Sequence, residues 1–237
     1  MGKQMRLDKY LADMGIGTRS QVKEAIRKGK VSINGQVMKS SDSKIDLEQT
    51  EVIYEGQKIS YVSYEYYMLN KPAGVVSAVS DNRYRTVVDL IDTKARKDLF
   101  PVGRLDIDTE GLLIITNDGP LTHNLLAPKK HVDKVYFVKV DADIPSDTKA
   151  RFEEGITLED GTKTKPANLE CINKREAKLT IHEGKFHQVK RMFEAVGVQV
   201  IYLKRLSMGP VSLDETLKLG EFRPLTKDEI ERLKGVL

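Results

Sequence analysis

One apolar run in the middle of the chain constrains the fold more than any other feature. Residues 112–116 read Leu-Leu-Ile-Ile-Thr, which is typical of a strand buried on both faces of a sheet. The polar segment before this run carries Arg104, Asp106 and Asp108 and closes with Gly111. Loops that lead into a core strand often hold reactive side chains at a cleft wall, although Asp residues also cap ordinary solvated turns. The sequence therefore predicts a central strand with a candidate site directly before it.

Positive charge is concentrated at the N-terminus. Residues 1–44 contain ten Lys or Arg and four Asp or Glu, a net charge of +6, whereas the remaining residues carry a net charge of −2. A compact basic module of this kind is typical of proteins that bind the phosphate backbone of nucleic acids. The candidate phosphate contacts, any one of which also suits a solvated surface, are Arg6, Arg19, Lys23, Arg27 and Lys30.

Composition excludes several classes of protein. The chain has 237 residues, enough for a medium domain and a small one. No segment approaches the run of about 20 apolar residues that spans a bilayer, and the N-terminus lacks the apolar core of a signal peptide. The only cysteine, Cys171, excludes a disulfide framework and favours a reducing compartment. We therefore expect a cytoplasmic protein.

The basic module is predicted to contain two helices followed by a hairpin. Apolar residues recur at helical spacing over residues 5–14, and a second helix is predicted over residues 20–28. Residues 31–37 alternate and turn at Asn34-Gly35, the strongest short hairpin signal. A further strand is predicted at residues 51–54. We place the domain boundary after residue 60, which gives domains of 1–60 and 61–237.

The second domain is predicted to be rich in strands. Besides residues 112–116, strands are expected at residues 66–69, 75–79, 135–140, 169–172, 179–181 and 198–203. Helices are expected at residues 86–91, 121–126, 185–196 and 226–233. Many strands with few intervening helices favour an α+β fold with a mainly antiparallel sheet over a doubly wound fold.

Two groups of motifs resemble known families. Residues 6–11, 18–20 and 29–35 resemble the αββ-type S4-like RNA-binding domain. The second domain is similar to the RsuA-type pseudouridine synthases, and the matching segments are residues 67–74, 103–113, 134–136 and 183–192. The resemblance implies an enzyme that isomerises a uridine of RNA to pseudouridine. That reaction breaks the N1–C1′ bond and rejoins the base through C5, with no cofactor and no metal.

The resemblance also implies roles for individual residues. Asp106 corresponds to the catalytic carboxylate, although Asp108 projects to the same face of a locally extended loop, so spacing alone does not separate the two. Whether the carboxylate attacks C1′ or removes a sugar proton stays open, since both need its ionised form. Tyr136 corresponds to the aromatic beside the target base, and it also suits an ordinary strand tyrosine. Lys190 corresponds to the cation that pairs with the carboxylate.

Three further basic residues are candidates for contact with RNA or for base flipping. Arg104 corresponds to a side chain that enters the helix and helps to displace the target base, which offsets part of the cost of unstacking; a plain phosphate contact is the alternative. Arg191 is adjacent to Lys190 and is an alternative partner for the carboxylate. Lys71 lies in the first motif, and it also suits a residue that merely flanks the Asn-Lys-Pro turn.

The expected partner is ribosomal RNA. Residues 186–193 are similar to the type that acts on 16S rRNA, and the chain lacks the tryptophan common in the large-subunit type. We therefore expect one target uridine in 16S rRNA, free or in a small-subunit assembly particle, and a monomeric enzyme. The alternatives are a 23S rRNA pseudouridine synthase and a non-catalytic RNA-binding factor in ribosome assembly.

Overall fold

The computed structural model describes residues 4–47, 49–92 and 95–236. Contacts within the chain group these residues into two units. The N-terminal unit lies within Met1–Glu65 and Thr93–Leu99, and the large unit lies within Tyr66–Asp92 and Phe100–Leu237. The domain boundary at residue 60 stays a prediction. None of the described helices is long and apolar enough to cross a membrane.

The N-terminal unit packs two helices against short strands. Its elements are β1 (Gln4–Arg6), α1 (Leu7–Asp13), α2 (Arg19–Arg27), β2 (Val31–Ile33), β3 (Gln36–Val37), β4 (Lys44–Asp46), β5 (Val52–Tyr54) and β6 (Gln57–Ile59). Strand β1 pairs with β4, and the other strands form a sheet in the order β3-β2-β5-β6. Leu7, Leu11 and Ile26 are completely buried in its core.

Local signals in the sequence account for the boundaries of these elements. Thr18 begins α2 with a capping box, in which its hydroxyl accepts from the Gln21 amide and the Gln21 side chain accepts from the Thr18 amide. The turn between β2 and β3 has φ +47° at Asn34 and +81° at Gly35, the left-handed pair that a type I′ hairpin requires. The predicted hairpin is therefore present at the predicted residues.

A short segment distant in sequence completes the N-terminal unit. Arg96, almost fully buried, donates to both carboxylate oxygens of Asp98 at 2.8 and 2.6 Å and lies 3.5 Å from Asp13. Its guanidinium lies over the Tyr61 ring at 5.4 Å, and its backbone amide donates to Glu65. This network explains why residues 95–99 group with the N-terminal unit.

The large unit contains the main sheet. Its elements are β7 (Tyr66–Lys71), β8 (Phe100–Pro101), β9 (Glu110–Thr116), α3 (Gly119–Leu126), a 3₁₀ turn (Pro128–Lys130), β10 (Lys134–Val140), α4 (Thr148–Glu153), β11 (Asn168–Cys171), β12 (Glu176–Ile181), α5 (Gln188–Glu194), β13 (Val200–Met208), β14 (Val211–Ser212), β15 (Phe222–Pro224) and α6 (Lys227–Gly235).

The main sheet has the strand order β11-β12-β10-β13-β9-β7-β15. Strands β9 and β13 are parallel, and the other described pairs are antiparallel. Strand β9 lies between β13 and β7, and residues 112–116 are all completely buried. Both expectations, a mainly antiparallel α+β fold and a central strand buried on both faces, are confirmed.

Several predicted elements differ from the structure in type or bounds. The helix expected over residues 5–14 begins at Leu7, since Met5 and Arg6 belong to β1, and the strand expected over residues 198–203 is β13. Residues 75–79 form no strand and contribute only an isolated bridge from Val76 to Thr86. The reason is that the Ser77 side chain bonds to the backbone of Leu105, in the loop before β9. Residues 86–91 form turns closed by Thr86 and Asp89 rather than a helix. Helix α5 begins at Gln188 rather than at residue 185, because His187 adopts a left-handed conformation that interrupts the helix.

Candidate active site

The loop of residues 104–109 leads directly into β9, so the central strand of the sheet fixes one end of it. Gly111, near the start of β9, has φ +100° and packs against the backbone of β13. A Cβ at Gly111 would collide with the carbonyl oxygen of Arg205. Glycine is needed here both for its conformation and for the close approach of the two strands.

Lys71, at the end of β7, fixes the backbone of this loop through hydrogen bonds. Its side chain is completely buried, and Nζ donates to the carbonyl oxygens of Asp106 at 3.0 Å, Thr109 at 2.9 Å and Ile107 at 3.4 Å. Burial lowers the pKa of Lys71 to about 8, against the opposing effect of Asp108 and Asp106. The assignment of Lys71 as an RNA contact is wrong, because a buried ammonium bonded to backbone carbonyls cannot reach RNA. It positions the loop instead.

The segment that follows Lys71 supplies further contacts to the loop. Ser77 Oγ accepts from the Leu105 amide at 3.0 Å and donates to the Leu105 carbonyl at 2.8 Å. The Gly74 amide donates to the Ile107 carbonyl at 2.7 Å. These hydrogen bonds replace the strand pairing expected at residues 75–79, and they fix the backbone on both sides of Asp106.

The carboxylate of Asp106 faces two basic side chains. Lys190 Nζ lies 3.4 Å from Oδ2, and His187 Nε2 lies 3.6 Å from Oδ1. Lys190 lies in the first turn of α5, and His187 directly precedes that helix. A carboxylate flanked in this way is suited to act in its ionised form, as a nucleophile or as a base.

Asp108 makes the shorter contacts to Lys190. Lys190 Nζ donates to its Oδ1 at 2.6 Å and to its Oδ2 at 2.8 Å, whereas the Asp108 side chain is 64% exposed. Partial burial raises the pKa of Asp108, but the hydrogen bond and charge of Lys190 outweigh it and hold this pKa below its usual value. Lys190 thus bridges both carboxylates of the loop rather than pairing with Asp106 alone.

Tyr136 forms part of the same pocket. It lies on β10 and is 7% exposed, and Arg104, Asp106, His187 and Lys190 line the pocket with it. The Tyr136 hydroxyl has no hydrogen-bond partner among the described residues. A largely buried ring with a free hydroxyl beside a carboxylate is suited to hold a planar polar ring such as a base.

The two arginines proposed as RNA contacts lie in different environments. Arg104 is exposed on the rim of the pocket and forms no ion pair within the described residues. Arg191 turns away, and its guanidinium lies 2.6 Å from Asp160. In this structure Arg191 therefore pairs with Asp160 and not with the Asp106 carboxylate, and its assignment as an RNA contact stays a prediction.

The phosphate-contact candidates all lie in the N-terminal unit, and they differ in their ion pairs. Three have acidic neighbours, namely Arg6 with Asp8 at 3.0 Å, Lys23 with Asp8 at 4.0 Å and Lys30 with Glu55 at 2.6 Å. Arg19 and Arg27, at the two ends of α2, are exposed and have no ion-pair partner in the described part of the chain. These two are the most available to an external phosphate.

Two of the four histidines lie close together. The rings of His131 and His182 have centroids 6.2 Å apart, and His182 Nδ1 lies 2.7 Å from Asp133. Within residues 4–47, 49–92 and 95–236, no group of three or more His, Cys, Asp or Glu side chains has an arrangement that could hold a metal ion.

Two further residues of the site are His187 and Gln188, to which the sequence motifs assign no role. His187 has φ +49° and reaches Asp106 from outside the helix, a conformation that its position in an apparently helical segment conceals. Gln188 is buried; its side chain accepts from the Lys185 amide and donates to Glu183, both at 2.9 Å. In the sequence, Gln188 lies among charged residues and directly precedes the apolar residues of α5, and this pattern is what indicates a turn here.

Comparison with known proteins identifies the family. The family model for RNA pseudouridylate synthase matches residues 65–195, and that for the S4 domain matches residues 5–50. An uncharacterized RNA pseudouridine synthase of Bacillus subtilis is 48% identical over 97% of this chain and 98% of that protein. Ribosomal small subunit pseudouridine synthase A of Haemophilus influenzae is 43% identical over 97% of this chain and 99% of that protein.

A solved structure is similar over nearly the same length. The crystal structure of a pseudouridylate synthase shares 42% sequence identity with this chain and has a TM-score of 0.69, covering 97% of this chain and 99% of the other. The match therefore covers both the N-terminal unit and the large unit, which carries Asp106, Tyr136 and Lys190. The chain therefore belongs to the RNA pseudouridylate synthase family and carries an N-terminal S4 domain.

Proposed function

We propose that this chain converts one uridine of 16S rRNA to pseudouridine, with Asp106 as the catalytic carboxylate. The observation that carries this proposal is the pocket in which Asp106 faces Lys190 and His187, with Tyr136 in the pocket wall. The reaction breaks the N1–C1′ bond, forms a C5–C1′ bond and moves one proton from C5 to solvent while N1 gains one. No atom is gained or lost overall.

Each side chain of the pocket has a place in this reaction. Asp106 in its ionised form supplies the attack on C1′ or the removal of a sugar proton. Lys190 supplies positive charge that is held in place by Asp108. Tyr136 offers a ring face and a hydroxyl to the uracil. Arg104, on the rim, occupies the place in the RNA stack that the target base leaves.

The choice of the small subunit rests on relatives and on one segment. Proteins named ribosomal small subunit pseudouridine synthase A are 39–43% identical to this chain over nearly its full length. The sequence of residues 186–193 also resembles the corresponding segment of the type that acts on 16S rRNA. The alternative of a non-catalytic assembly factor is disfavoured, because such a factor has no need for the buried lysine and the paired carboxylates of this loop.

The remaining features of the proposal concern organisation and location. We assign residues 1–60 to an RNA-binding domain and residues 61–237 to the catalytic domain. We further propose that the chain acts as a monomer. A cytoplasmic location fits both an rRNA substrate and a chain whose only cysteine is free.

The substrate is tested by tritium release from uridine labelled at C5. Wild-type protein is incubated with labelled 16S and 23S transcripts and with assembled small-subunit and large-subunit particles. We expect release from 16S rRNA or its particles alone, at about one tritium per molecule. Release from 23S rRNA alone would show that the assignment of the substrate is wrong and that the assignment of the reaction is correct. No release from transcripts or particles, with RNA still bound, would favour the assembly factor.

The N-terminal unit is expected to bind rRNA through phosphate contacts at α2. Arg19→Ala removes an exposed arginine that has no ion-pair partner in the described part of the chain. We expect weaker RNA binding, a slope of log affinity against log salt concentration that is smaller by about 1, and unchanged turnover at saturating RNA. Filter binding between low and moderate salt measures the slope, and tritium release measures turnover.

Lys58→Ala is the matched control for Arg19→Ala. Lys58 is equally charged, lies on β6 of the same unit and pairs with Glu51 at 2.9 Å. Its loss changes the net charge by the same amount without removing an unpaired cation. Equal effects of the two substitutions would contradict a specific phosphate contact at Arg19, and would indicate attraction by net charge alone.

A further inference from the structure

Phe186 is an aromatic side chain in an unusual position. It is 71% exposed, the highest value among the exposed large apolar side chains of the described residues. One face of its ring is covered by His187, with ring centroids 3.8 Å apart and planes 19° from parallel. The phenyl ring is thus held in a defined orientation, although it contributes little to the core.

The turn that presents Phe186 is fixed by hydrogen bonds. Buried Gln188 accepts from the Lys185 amide and donates to Glu183, and Glu183 also accepts from the Lys165 amide at 2.9 Å. The Arg191 guanidinium, anchored by Asp160, lies 3.5 Å from the Phe186 carbonyl. An exposed aromatic on such a turn is preorganised, so a partner that stacks on it loses little conformational freedom to the protein.

Phe186 also lies at the mouth of the candidate active site. It lines a cleft together with Arg104, Asp106 and His187, and His187 is within 3.6 Å of the Asp106 carboxylate. Arg104 on the same cleft is exposed and without an ion pair in the described part of the chain. A cation and an aromatic face side by side are the two elements that proteins use to hold unpaired nucleotides.

We propose that Phe186, backed by His187, stacks on the nucleobase adjacent to the target uridine in the same RNA strand. This inference rests on the proposed function, and it assigns Phe186 a binding role distinct from the chemistry of Asp106. The occupant is a nucleobase rather than a protein side chain, because the cleft holds the reactive carboxylate and its substrate is RNA. When the uridine leaves the stack, Arg104 occupies the vacated space, and the Phe186 ring stacks on the neighbouring base at the edge of the cleft.

The test combines a variant of the protein with a variant of the RNA. The probe is a transcript of the rRNA segment that wild type modifies, with an abasic residue on the 5′ or the 3′ side of the target uridine. We expect Phe186→Ala to raise KM for the unaltered transcript by about 5- to 150-fold, the range that corresponds to loss of one base–aromatic stack. One of the two abasic transcripts should raise the KM of wild type by a similar factor. Phe186→Ala should have the same KM for that abasic transcript as for the unaltered one.

Two further variants complete the test. Phe186→Tyr keeps a ring face and is expected to restore the wild-type KM. Ile172→Ala removes an exposed apolar side chain from the turn after β11, and it should change nothing. If each abasic residue raised the KM of Phe186→Ala by the same factor as it raises the KM of wild type, the inference would be overturned. An unchanged KM of Phe186→Ala for the unaltered transcript would also overturn it. An inactive wild type would overturn the proposed function, and this inference with it.

Discussion

Asp106→Asn is expected to abolish tritium release from labelled rRNA while RNA binding stays at the wild-type level. The substitution keeps the size of the side chain but removes the carboxylate that faces Lys190 and His187. A positioned nucleophile or base contributes about 10²–10⁴ in rate, so single-turnover release should fall by at least that factor. Affinity depends on exposed phosphate contacts elsewhere, so filter binding should be unaltered.

Asp108→Asn is the matched control, because both carboxylates contact Lys190. It removes the negative charge and one of the two acceptors that Lys190 contacts at 2.6 and 2.8 Å, and it leaves that cation 3.4 Å from Asp106. The reactive carboxylate and its cation both remain, so we expect release within about tenfold of wild type. If Asp108→Asn were inactive and Asp106→Asn active, the roles of the two residues would be reversed. Wild-type activity of both variants would exclude this loop as the source of the carboxylate.

Strong local signals in the sequence predicted much of the fold. An uninterrupted apolar run predicted β9, and an Asn-Gly pair predicted the hairpin turn with both residues at positive φ. Of the two elements that were wrong, residues 86–91 form turns closed by the local hydrogen bonds between Thr86 and Asp89, whereas residues 75–79 are shaped by contacts with a distant segment. Ser77 bonds to Leu105, for example, and no local pattern encodes such a contact. Residues 95–99 pack with the N-terminal unit for a similar reason, because buried Arg96 pairs with Asp13, which is distant in sequence.

The site was predicted from motifs, and motifs indicate residue identity better than side-chain direction. Asp106, Tyr136 and Lys190 line one pocket. Arg191 follows Lys190 directly in α5, so its side chain leaves the helix at a different angle and meets Asp160 instead. The reach of His187 to Asp106 depends on a left-handed backbone conformation that is uncommon outside glycine.

Lys71→Met is expected to lower kcat by about 100-fold with little change in RNA affinity. Methionine fills a similar volume but donates no hydrogen bond, so the carbonyl oxygens of Asp106 and Thr109 lose their buried partner. Each unsatisfied buried group costs about 1–3 kcal/mol, and the loop can relieve that cost only by moving. A displacement of about 1 Å in a reacting group is enough for a 100-fold loss. Single-turnover tritium release at saturating RNA measures the effect.

The same variant separates a positioning lysine from an RNA contact. A lysine that touched RNA would, when replaced, raise Kd and reduce its salt dependence, and turnover at saturating RNA would recover. A lysine that holds the loop leaves Kd alone and lowers turnover at any RNA concentration. Lys139→Met, an exposed lysine on β10 paired with Glu176, controls for loss of charge and should be active. Unchanged kcat in folded Lys71→Met protein would show that Ser77 and Gly74 suffice to hold the loop, since they bond to it at Leu105 and Ile107 independently of the lysine.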